Sequence, residues 1–408
     1  MKHLFDESDW NVYKCDVLNL SVGTPGSDLL EQCCENFKIA SVHRMNLEKN
    51  KNNAYLFQYG PTPGIEEARN AIATFCTDKY QSEVKSDDMI ITSGATQGLH
   101  FVLTTLVDLN GVVFIDEVTY MIALDAIKQI DTLQIIPIPL TDEGVDLSRF
   151  ECILEEKKFK PKNKEFWGIY YSIPVYHNPT GLLFSEAVCE GLVKLARKYD
   201  FLICCDDVYN ILNYCGNAPP KRLYAYDKNT DPDFRGNVIS NCSFSKILGP
   251  GLRLGWIETS PRIRTILLKS GVIRSGGCFN NYTSGILTSL FELGLAQTQI
   301  SCWKEIYNER MVATCAIFQK HLPVGCSIKS PGGGYFIWIS LPINTDASDF
   351  LQFCKREEKI IFIPASAFSL DGKAKKNCFR ISIGFHSTER LIDGASRICS
   401  AITRFLKL

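Results

Sequence analysis

The sequence predicts an α/β protein built on a mostly parallel sheet that helices cover on both faces. From about Met89 onward, short β-rich runs alternate with amphipathic helical stretches, which is the order expected of such a sheet. Several runs are apolar throughout, as strands buried on both faces must be. The chain has 408 residues, more than one typical domain, so we expect a large and a small domain.

The large domain is predicted to contain, in chain order, a helix over 94–108, a strand over 112–115, a helix over 119–130, strands over 134–140 and 166–172, a helix over 185–200, and strands over 201–205, 237–243 and 254–258. In the first helix, Leu99 and Val102 share one apolar face. Pro137 and Pro139 place their strand at a sheet edge, because proline cannot donate to a ladder. Ser185 is a suitable N-cap.

The pattern changes after about Ala296, where the small domain is predicted to begin. A long polar-faced helix is followed by strands near 335–341 and 378–384 and a final helix near 389–406, which indicates an α+β unit. The first 45 residues show no regular pattern and are expected to be irregular and to pack onto this unit. The predicted divisions are therefore an N-terminal segment 1–50, a large domain 51–295 and a small domain 296–408.

Composition excludes several classes of protein. The net charge is −1, with 44 basic against 45 acidic residues, which argues against a nucleic-acid binder. Seventeen cysteines without a C-x-x-C motif indicate reduced, mostly buried thiols, and no metal site is predicted. The acidic start, with Asp6, Glu7 and Asp9, resembles neither a signal nor a transit peptide, and no apolar stretch could span a membrane. A cytoplasmic location is expected.

Ligands of open parallel sheets bind beyond the carboxyl ends of the strands. Asn178, Asp206 and Lys246 each follow a predicted strand, so these three side chains are expected to meet at one edge of the sheet.

Lys246 lies in the run S-F-S-K, ahead of the glycine-rich G-P-G-L-R-L-G-W. Burial lowers the pKa of a lysine and makes its amine a nucleophile that can form a Schiff base. Ser243, Ser245 and Arg253 would bind a phosphate nearby. An exposed loop lysine is the alternative. The run also fits the S-x-x-K motif of penicillin-binding enzymes, but the sequence lacks their S-D-N and K-T-G tripeptides.

Asp206 begins the run D-D-V-Y directly after an apolar strand. A carboxylate there needs a cation, and a protonated pyridine nitrogen is one that pyridoxal chemistry requires. We assign only Asp206, because Asp207 lies on the other side of the chain. An exposed turn acid or a metal ligand is the alternative.

Two further motifs follow strands and open helices. N-P-T-G at Asn178 is by itself only a turn signal, but its place after a strand would let the amide reach the cleft. S-G-A-T-Q, from Ser93 and Gly94 onward, offers free backbone N–H groups at a helix start, which form an anion site or an ordinary N-cap. Neither G-x-G-x-x-G nor a P-loop is present.

Arg380 lies inside an alternating apolar strand of the small domain. A buried guanidinium needs an anionic partner. A substrate carboxylate would fit, and a structural ion pair is the alternative.

The motifs occur in the order Tyr59-Gly60-Pro61-Thr62-Pro63-Gly64, S-G-A-T-Q, Tyr120, N-P-T-G, D-D-V-Y, S-F-S-K, G-L-R-L-G-W and F-R. Together they resemble the class I and II aminotransferases of pyridoxal-phosphate fold type I, in the branch of kynurenine and 2-aminoadipate aminotransferases. The resemblance covers nearly the whole chain and implies a sheet of the seven-stranded type.

The resemblance also implies roles for individual residues. Lys246 would form the Schiff base with pyridoxal 5'-phosphate and move the α-proton, and Asp206 would pair with the pyridine nitrogen. The other cofactor contacts it implies are Asn178 and Tyr209 on the ring oxygen, Tyr120 on the ring face, and Ser93, Gly94, Ala95, Thr96, Ser243, Ser245 and Arg253 around the phosphate. Arg380 would bind the substrate α-carboxylate, with Gly23 and Asn178 nearby. Tyr59 would reach the phosphate of a neighbouring subunit, so a homodimer is implied.

The implied activity is ping-pong transfer of an amino group from an L-amino acid to a 2-oxo acid. Other enzymes on this scaffold remain open: a carbon–sulfur lyase, a decarboxylase or an oxidase. A non-catalytic binding module, such as occurs in transcription regulators, is a further alternative. The run 276–284 departs from the usual pattern and leaves the side-chain pocket undefined, with Arg44 and Arg274 as candidates to bind a distal carboxylate.

Overall fold

The computed structural model describes residues 17–51, 55–216, 218–277 and 279–407. The acidic residues at the start of the chain lie outside this part. The helices are α1 (Ser27–Asn50), α2 (Glu66–Tyr80), α3 (Ala95–Leu106), α4 (Met121–Lys128), α5 (Leu147–Lys157), α6 (Glu186–Tyr199), α7 (Pro261–Leu267), α8 (Gly271–Arg274), α9 (Asn281–Glu292), α10 (Leu295–His321), α11 (Ala347–Glu357) and α12 (Thr388–Phe405). The strands are β1 (Leu18–Asn19), β2 (Met89–Thr92), β3 (Val107–Asp116), β4 (Gln134–Ile138), β5 (Leu140–Thr141), β6 (Gly144–Val145), β7 (Phe166–Ser172), β8 (Leu202–Asp206), β9 (Val238–Ser243), β10 (Gly255–Thr259), β11 (Ser327–Ile328), β12 (Phe336–Ser340), β13 (Ile360–Ile361), β14 (Ile363–Pro364) and β15 (Cys378–Ser382).

The large domain is organised around a seven-stranded sheet with the order β2-β10-β9-β8-β7-β3-β4. The strands from β9 to β4 are parallel, and β10 runs antiparallel to both of its neighbours. The predicted mostly parallel sheet is confirmed. Alternate residues of β8 belong to two separate apolar clusters: Leu202 and Cys204 to one, Ile203 and Cys205 to the other. Each face of the strand thus has its own core, which explains the uninterrupted apolar run.

Local signals for two elements are also confirmed. β4, which carries Pro137, is the last strand in the sheet order and therefore an edge. Ser185 caps α6, since its hydroxyl accepts from the backbone N–H of Val188. The ends of several elements differ from the prediction by two or three residues. For example, α4 begins at Met121, whereas the predicted helix begins at residue 119.

The prediction of irregular structure is wrong for residues 27–45, and residues 1–16 lie outside the described part of the chain. Residues 27–50 form α1, a helix of 24 residues. Its buried positions are few, Leu29, Ala40, Arg44 and Glu48, and two of these are charged residues that pair with each other. The apolar stripe that identifies an amphipathic helix is therefore missing from the sequence. β1, which precedes this helix, pairs in parallel with β13.

The small domain holds a four-stranded antiparallel sheet, with the order β11-β12-β15-β14. α10 and α12 pack against each other beside it. Arg380 lies in the middle of β15, opposite Trp338 of β12. The domain division at 295/296 stays a prediction, and α10 begins at Leu295.

All fifteen cysteines in the described ranges are free thiols, and nine of them are buried. The prediction of reduced, mostly buried thiols agrees with this. Within the same ranges, no helix combines the length and the apolar character that a bilayer crossing needs.

Candidate active site

A cavity of about 350 Å³ lies at the carboxyl ends of the parallel strands. Ten of the predicted site residues line it: Ala95, Thr96, Tyr120, Asn178, Asp206, Tyr209, Ser243, Ser245, Lys246 and Arg253. They come from the ends of β7, β8 and β9 and from the starts of α3 and α4. The sheet topology thus brings together motifs that are up to about 160 residues apart in the sequence.

Lys246 ends a short helical turn that directly follows β9. Its Nζ donates to the carbonyl oxygen of Gly23 at 2.8 Å. Burial lowers the pKa of the Lys246 amine to about 8, although the nearby Asp206 opposes the shift. A substantial share of this amine is therefore neutral and nucleophilic near physiological pH.

Gly23 comes close to Lys246 because the N-terminal segment passes tightly over the small domain. A Cβ on Gly23 would lie 2.9 Å from the Phe336 ring, so a larger residue would push the segment away. Gly23 does not line the cavity, and its carbonyl contact with Lys246 is what places it beside the site.

Asp206 is the last residue of β8 and is buried. Tyr171 donates its hydroxyl to Asp206 Oδ2 at 2.6 Å, whereas Oδ1 has no hydrogen-bond partner among the described residues. Burial raises the pKa of Asp206 to about 6, and the Tyr171 hydrogen bond opposes this shift. A cation arriving at Oδ1 would satisfy both the charge and the free lone pairs. Asp207 faces the other side, where it accepts from Ser240 at 2.5 Å.

An anion site lies at the start of α3. Gly94 has φ of 94°, a conformation that favours glycine, and it frees the backbone N–H groups of the first helical turn. Ser93 N donates to the Gln97 side chain at 3.0 Å, which fixes this turn. Arg253 lies opposite, and its Nη2 donates to Ser93 O at 3.4 Å. The arginine charge and the helix start together suit a phosphate.

The hydroxyls of Ser243 and Ser245 lie next to this anion site. Ser243 Oγ and Ser245 Oγ are 2.9 Å apart, and both residues line the cavity. Ser93 and Gly94 are not among the lining residues, but they carry the turn that orients Ala95 and Thr96.

Arg380 approaches the cavity from the small domain. It is buried, and its two terminal nitrogens donate to Asn178 Oδ1 at 2.7 Å and to Ser21 O at 2.6 Å. The guanidinium also lies over the Phe336 ring, 4.1 Å from its centroid. No carboxylate of the described residues forms an ion pair with it, so the alternative of a structural ion pair finds no partner there. Burial lowers the pKa of Arg380 to about 10, which a bound anion would reverse.

The two tyrosines among the predicted ring contacts lie on different elements. Tyr120 precedes α4 and lines the cavity, and burial raises the pKa of its phenol to about 12. Tyr209 is buried against the rings of Tyr335 and Phe336. Both phenols are neutral donors near pH 7.

Tyr59 does not reach this cavity. It is 81% exposed and lines a separate cavity of about 440 Å³ that also borders Arg44 and Glu48. Arg44 is not available for a distal carboxylate, because it is buried and pairs with Glu48. Arg274 is exposed at the end of α8 and does not line the site. Neither candidate is therefore supported within one chain.

Sequence reasoning missed several lining residues: Thr24, Ile122, Ile173, Val208 and Pro250. It also missed Tyr171, the hydrogen-bond donor to Asp206. The structure explains the contact, because the register partner of Tyr171 on the neighbouring strand is Cys204, two residues before Asp206. Residues of parallel strands in this register share a face.

The residues of this site fit pyridoxal phosphate. Oδ1 of Asp206 is a buried acceptor without a partner, suited to a protonated ring nitrogen. Lys246 offers an amine with a lowered pKa, suited to an aldehyde. The α3 start with Arg253 suits the phosphate. A larger cavity of about 580 Å³ lies elsewhere, at the domain boundary near Trp338, and its lysines Lys329 and Lys375 are already paired with carboxylates.

Comparisons with known proteins agree with this geometry. Residues 15–398 match the family model described as aminotransferase class I and II. The chain is 29% identical to the aromatic-amino-acid aminotransferase 1 of Thermococcus litoralis, over 96% of this chain and 89% of that protein. The crystal structure of Pyrococcus horikoshii kynurenine aminotransferase, in complex with PMP, KYN as substrates and KYA as products, superposes with a TM-score of 0.83 at 27% identity, covering 97% of this chain and 93% of that one. The multiple substrate aminotransferase of Thermococcus profundus gives a TM-score of 0.82 at 26% identity, with the same coverage.

Proposed function

This chain belongs to the class I and II aminotransferases, and we propose how its cavity carries out the pyridoxal-phosphate-dependent transfer of an amino group from an L-amino acid to a 2-oxo acid. One observation carries the proposal. The lysine with a lowered pKa, the unpartnered carboxylate oxygen and the anion site surround a single cavity at the strand ends.

Cofactor binding would divide among three groups of residues. The backbone of Ala95 and Thr96 would hold the phosphate together with Ser243, Ser245 and Arg253. Asp206 would accept from the ring nitrogen. Asn178 and Tyr209 would donate to the ring oxygen, and Tyr120 would cover the ring face. When bound, the cofactor withdraws electrons from the substrate α-carbon and stores the amino group between the two half-reactions.

Lys246 would act as both anchor and proton carrier. Its neutral amine would hold the cofactor in the resting enzyme until a substrate amine displaces it. The freed Lys246 amine would then accept the α-proton of the substrate at Nζ and later donate a proton back. Its lowered pKa, about 8, lets it hold and release a proton near neutral pH.

Arg380 would orient the amino acid by a two-pronged bond to the α-carboxylate. It already points both terminal nitrogens at neutral acceptors, Asn178 Oδ1 and Ser21 O, so the fork is fixed before substrate arrives. Fixing the carboxylate also fixes the distance and direction of the α-proton from Lys246. Arg380 would therefore speed the reaction by orienting the substrate as well as by its charge.

The test is product analysis with a panel of L-amino acids, with and without 2-oxoglutarate or pyruvate. We expect the donor to give its 2-oxo acid in equal amount to the new amino acid, and only when the acceptor is present. Ammonia without an acceptor would instead support a lyase or an oxidase, and carbon dioxide would support a decarboxylase.

A homodimer is the second part of the proposal. Tyr55, Phe57, Tyr59 and Tyr282 form an exposed aromatic patch, with exposed fractions of 70, 71, 81 and 47%. Contiguous apolar exposure of this kind is typical of an interface. Tyr59 lies outside the cavity of its own chain, which suits a role at the phosphate of a second copy.

We expect sedimentation velocity to show a particle of twice the chain mass of 45.9 kDa. Tyr59→Phe should keep that mass and weaken cofactor binding by about tenfold, the cost of one hydrogen bond to a charged group. A monomer that binds the cofactor as tightly as the wild-type protein would contradict the shared site.

The location of the protein is proposed to be the cytoplasm. The support is indirect: the described cysteines are free thiols, as is usual in reducing compartments.

A further inference from the structure

A buried polar cluster lies beside the turn that carries Asn178, and the mechanism above does not use it. Its centre is Asp116, the last residue of β3, which is fully buried. Tyr170 donates its hydroxyl to Asp116 Oδ1 at 2.5 Å. Ser172 and His177 occupy Oδ2, at 2.7 and 3.1 Å. Three side chains thus hydrogen-bond the two oxygens of one buried carboxyl group.

The cluster fixes the orientation of the His177 ring, which is fully buried too. A carboxylate only accepts, so Nε2 donates to Asp116, while Nδ1 forms a hydrogen bond with the Thr180 hydroxyl at 2.8 Å. Backbone hydrogen bonds close the same turn: Gly181 N donates to His177 O at 2.6 Å, and His177 N donates to Leu182 O at 2.8 Å. With both ring nitrogens engaged, the ring has one orientation and ties the turn to β3.

Asn178 follows His177 directly, so the orientation of this turn sets the position of its amide. Asn178 is buried, and its Oδ1 accepts from Arg380 Nη1 at 2.7 Å. The amide oxygen is thus committed to the arginine, and the amide nitrogen is the group left to donate into the cavity that Asn178 lines. One amide therefore connects the substrate arginine with the cofactor cavity.

We propose that Asp116, His177 and Thr180 are positioning residues, which hold the Asn178 amide so that it engages Arg380 and the cofactor ring at the same time. This inference rests on the proposed function, because it assigns Asn178 one hydrogen bond to the substrate-binding arginine and another to the cofactor ring. The cluster lies behind the turn, not in the cavity, so none of the three residues is itself a catalytic residue.

Three substitutions separate the two halves of the cluster. His177→Asn keeps a polar amide atom near the position of Nδ1, where it can still bond to Thr180, and removes the group that donates to Asp116. His177→Gln keeps a donor near Nε2, facing Asp116, and loses the contact with Thr180. Thr180→Val preserves the side-chain shape and removes only the hydroxyl, and because Thr180 is partly exposed this variant is the safest to fold.

The first measurement uses the holoenzyme without substrate: the pH midpoint of the visible absorbance of the bound cofactor. A donor to the ring oxygen favours its anionic form, so a misplaced Asn178 must raise the midpoint. We expect a rise of about half a pH unit or more in His177→Asn and a smaller rise in His177→Gln and Thr180→Val. The titratable and charged groups that face this cavity are unchanged in all three variants: Asp206, Lys246, Tyr120, Tyr209, Arg253 and Arg380.

The second measurement is the split between KM and kcat. Arg380 depends on Asn178 for one of its two fixed contacts. We expect KM for the amino donor to rise about fivefold or more in His177→Asn, with a smaller change in kcat.

Leu154→Ala is the matched control. Leu154 is fully buried in the apolar cluster that contains Tyr170, so the variant opens a cavity but removes none of the hydrogen bonds described above. It should lower the melting temperature and leave both readouts unchanged. If the three variants behave as Leu154→Ala does, the cluster only stabilises the fold and the proposal is overturned. A wild-type protein that shows no cofactor absorbance would overturn the proposed function as well, which distinguishes the two failures.

Discussion

Replacing Lys246 by alanine is expected to abolish both turnover and the visible absorbance of the bound cofactor. Lys246 combines two roles in the proposed site, the covalent anchor and the carrier of the α-proton. Proton transfer alone contributes about 10²–10⁴-fold to a rate, and removing a residue that also acts as nucleophile costs on the order of 10⁴-fold or more. Steady-state assays with a saturating amino donor and 2-oxoglutarate, together with an absorbance spectrum of the purified variant, measure the two losses.

The pH dependence of reconstitution tests the same lysine without relying on turnover. The neutral amine is the reactive form, and the pKa of Lys246 in the cofactor-free protein is lowered to about 8 by burial. The rate at which added pyridoxal phosphate restores the absorbance should therefore level off above pH 8 and fall about tenfold for each pH unit below it. A lysine in water, with its higher pKa, would show no plateau below about pH 10.

Lys329→Ala is the matched control, because Lys329 is 62% exposed and pairs with Asp142 at 2.5 Å outside the site. It should retain both absorbance and turnover. Measurable turnover in Lys246→Ala, at more than about a thousandth of the wild-type rate, would refute the assignment.

Much of the site could be predicted from sequence because parallel sheets place their strand ends together. Asn178, Asp206 and Lys246 each follow an apolar run, and the structure brings all three to one cavity. The sequence signal was local in each case: Asp206 is the last residue of β8, Lys246 lies three residues beyond β9, and Asn178 lies six residues beyond β7. Because the carboxyl ends of parallel strands lie at the same edge of the sheet, residues that follow different strands meet there.

Contacts between distant side chains could not be predicted in the same way. Asp116 and His177 are 61 residues apart, and nothing in either local pattern indicates that they meet in a fully buried cluster. The register of β3 against β7 decides that contact, and the sequence alone does not fix a register. The same holds for Tyr171, which meets Asp206 only through the pairing of β7 with β8.

The sequence around Arg44 contains a signal for an ion pair within a helix. Arg44 was a candidate for binding a distal carboxylate, yet Glu48 lies four residues later, one helical turn away. In a helix, side chains at this spacing are neighbours, so an ion pair within α1 was the simpler expectation. The helix itself was missed because its few buried positions include these two charges.

The second large effect is expected at Arg380. Replacing it by methionine should lower kcat/KM for the amino donor by about 10²–10³-fold, the cost of leaving a charged partner in a buried site without its counter-charge. Most of the loss should be in KM. Because Arg380 does not line the cofactor cavity, the variant should still bind the cofactor and show visible absorbance. Arg380→Lys keeps a charge but not the planar fork, and should recover only part of the loss.

A change in the substrate separates binding of the carboxylate from a structural role of Arg380. The guanidinium also supports Asn178 and lies over the Phe336 ring, so its removal could disturb the site without any effect on carboxylate recognition. The decarboxylated amine of the same donor lacks the group that Arg380 would bind. If Arg380 binds the carboxylate, the wild-type protein discriminates against this amine in the half-reaction and Arg380→Met loses most of that discrimination. If Arg380→Met slows the amino acid and the amine by the same factor, Arg380 acts by packing alone. Arg356→Met, at a 68% exposed position on α11, provides the control in which both substrates react as in the wild-type protein.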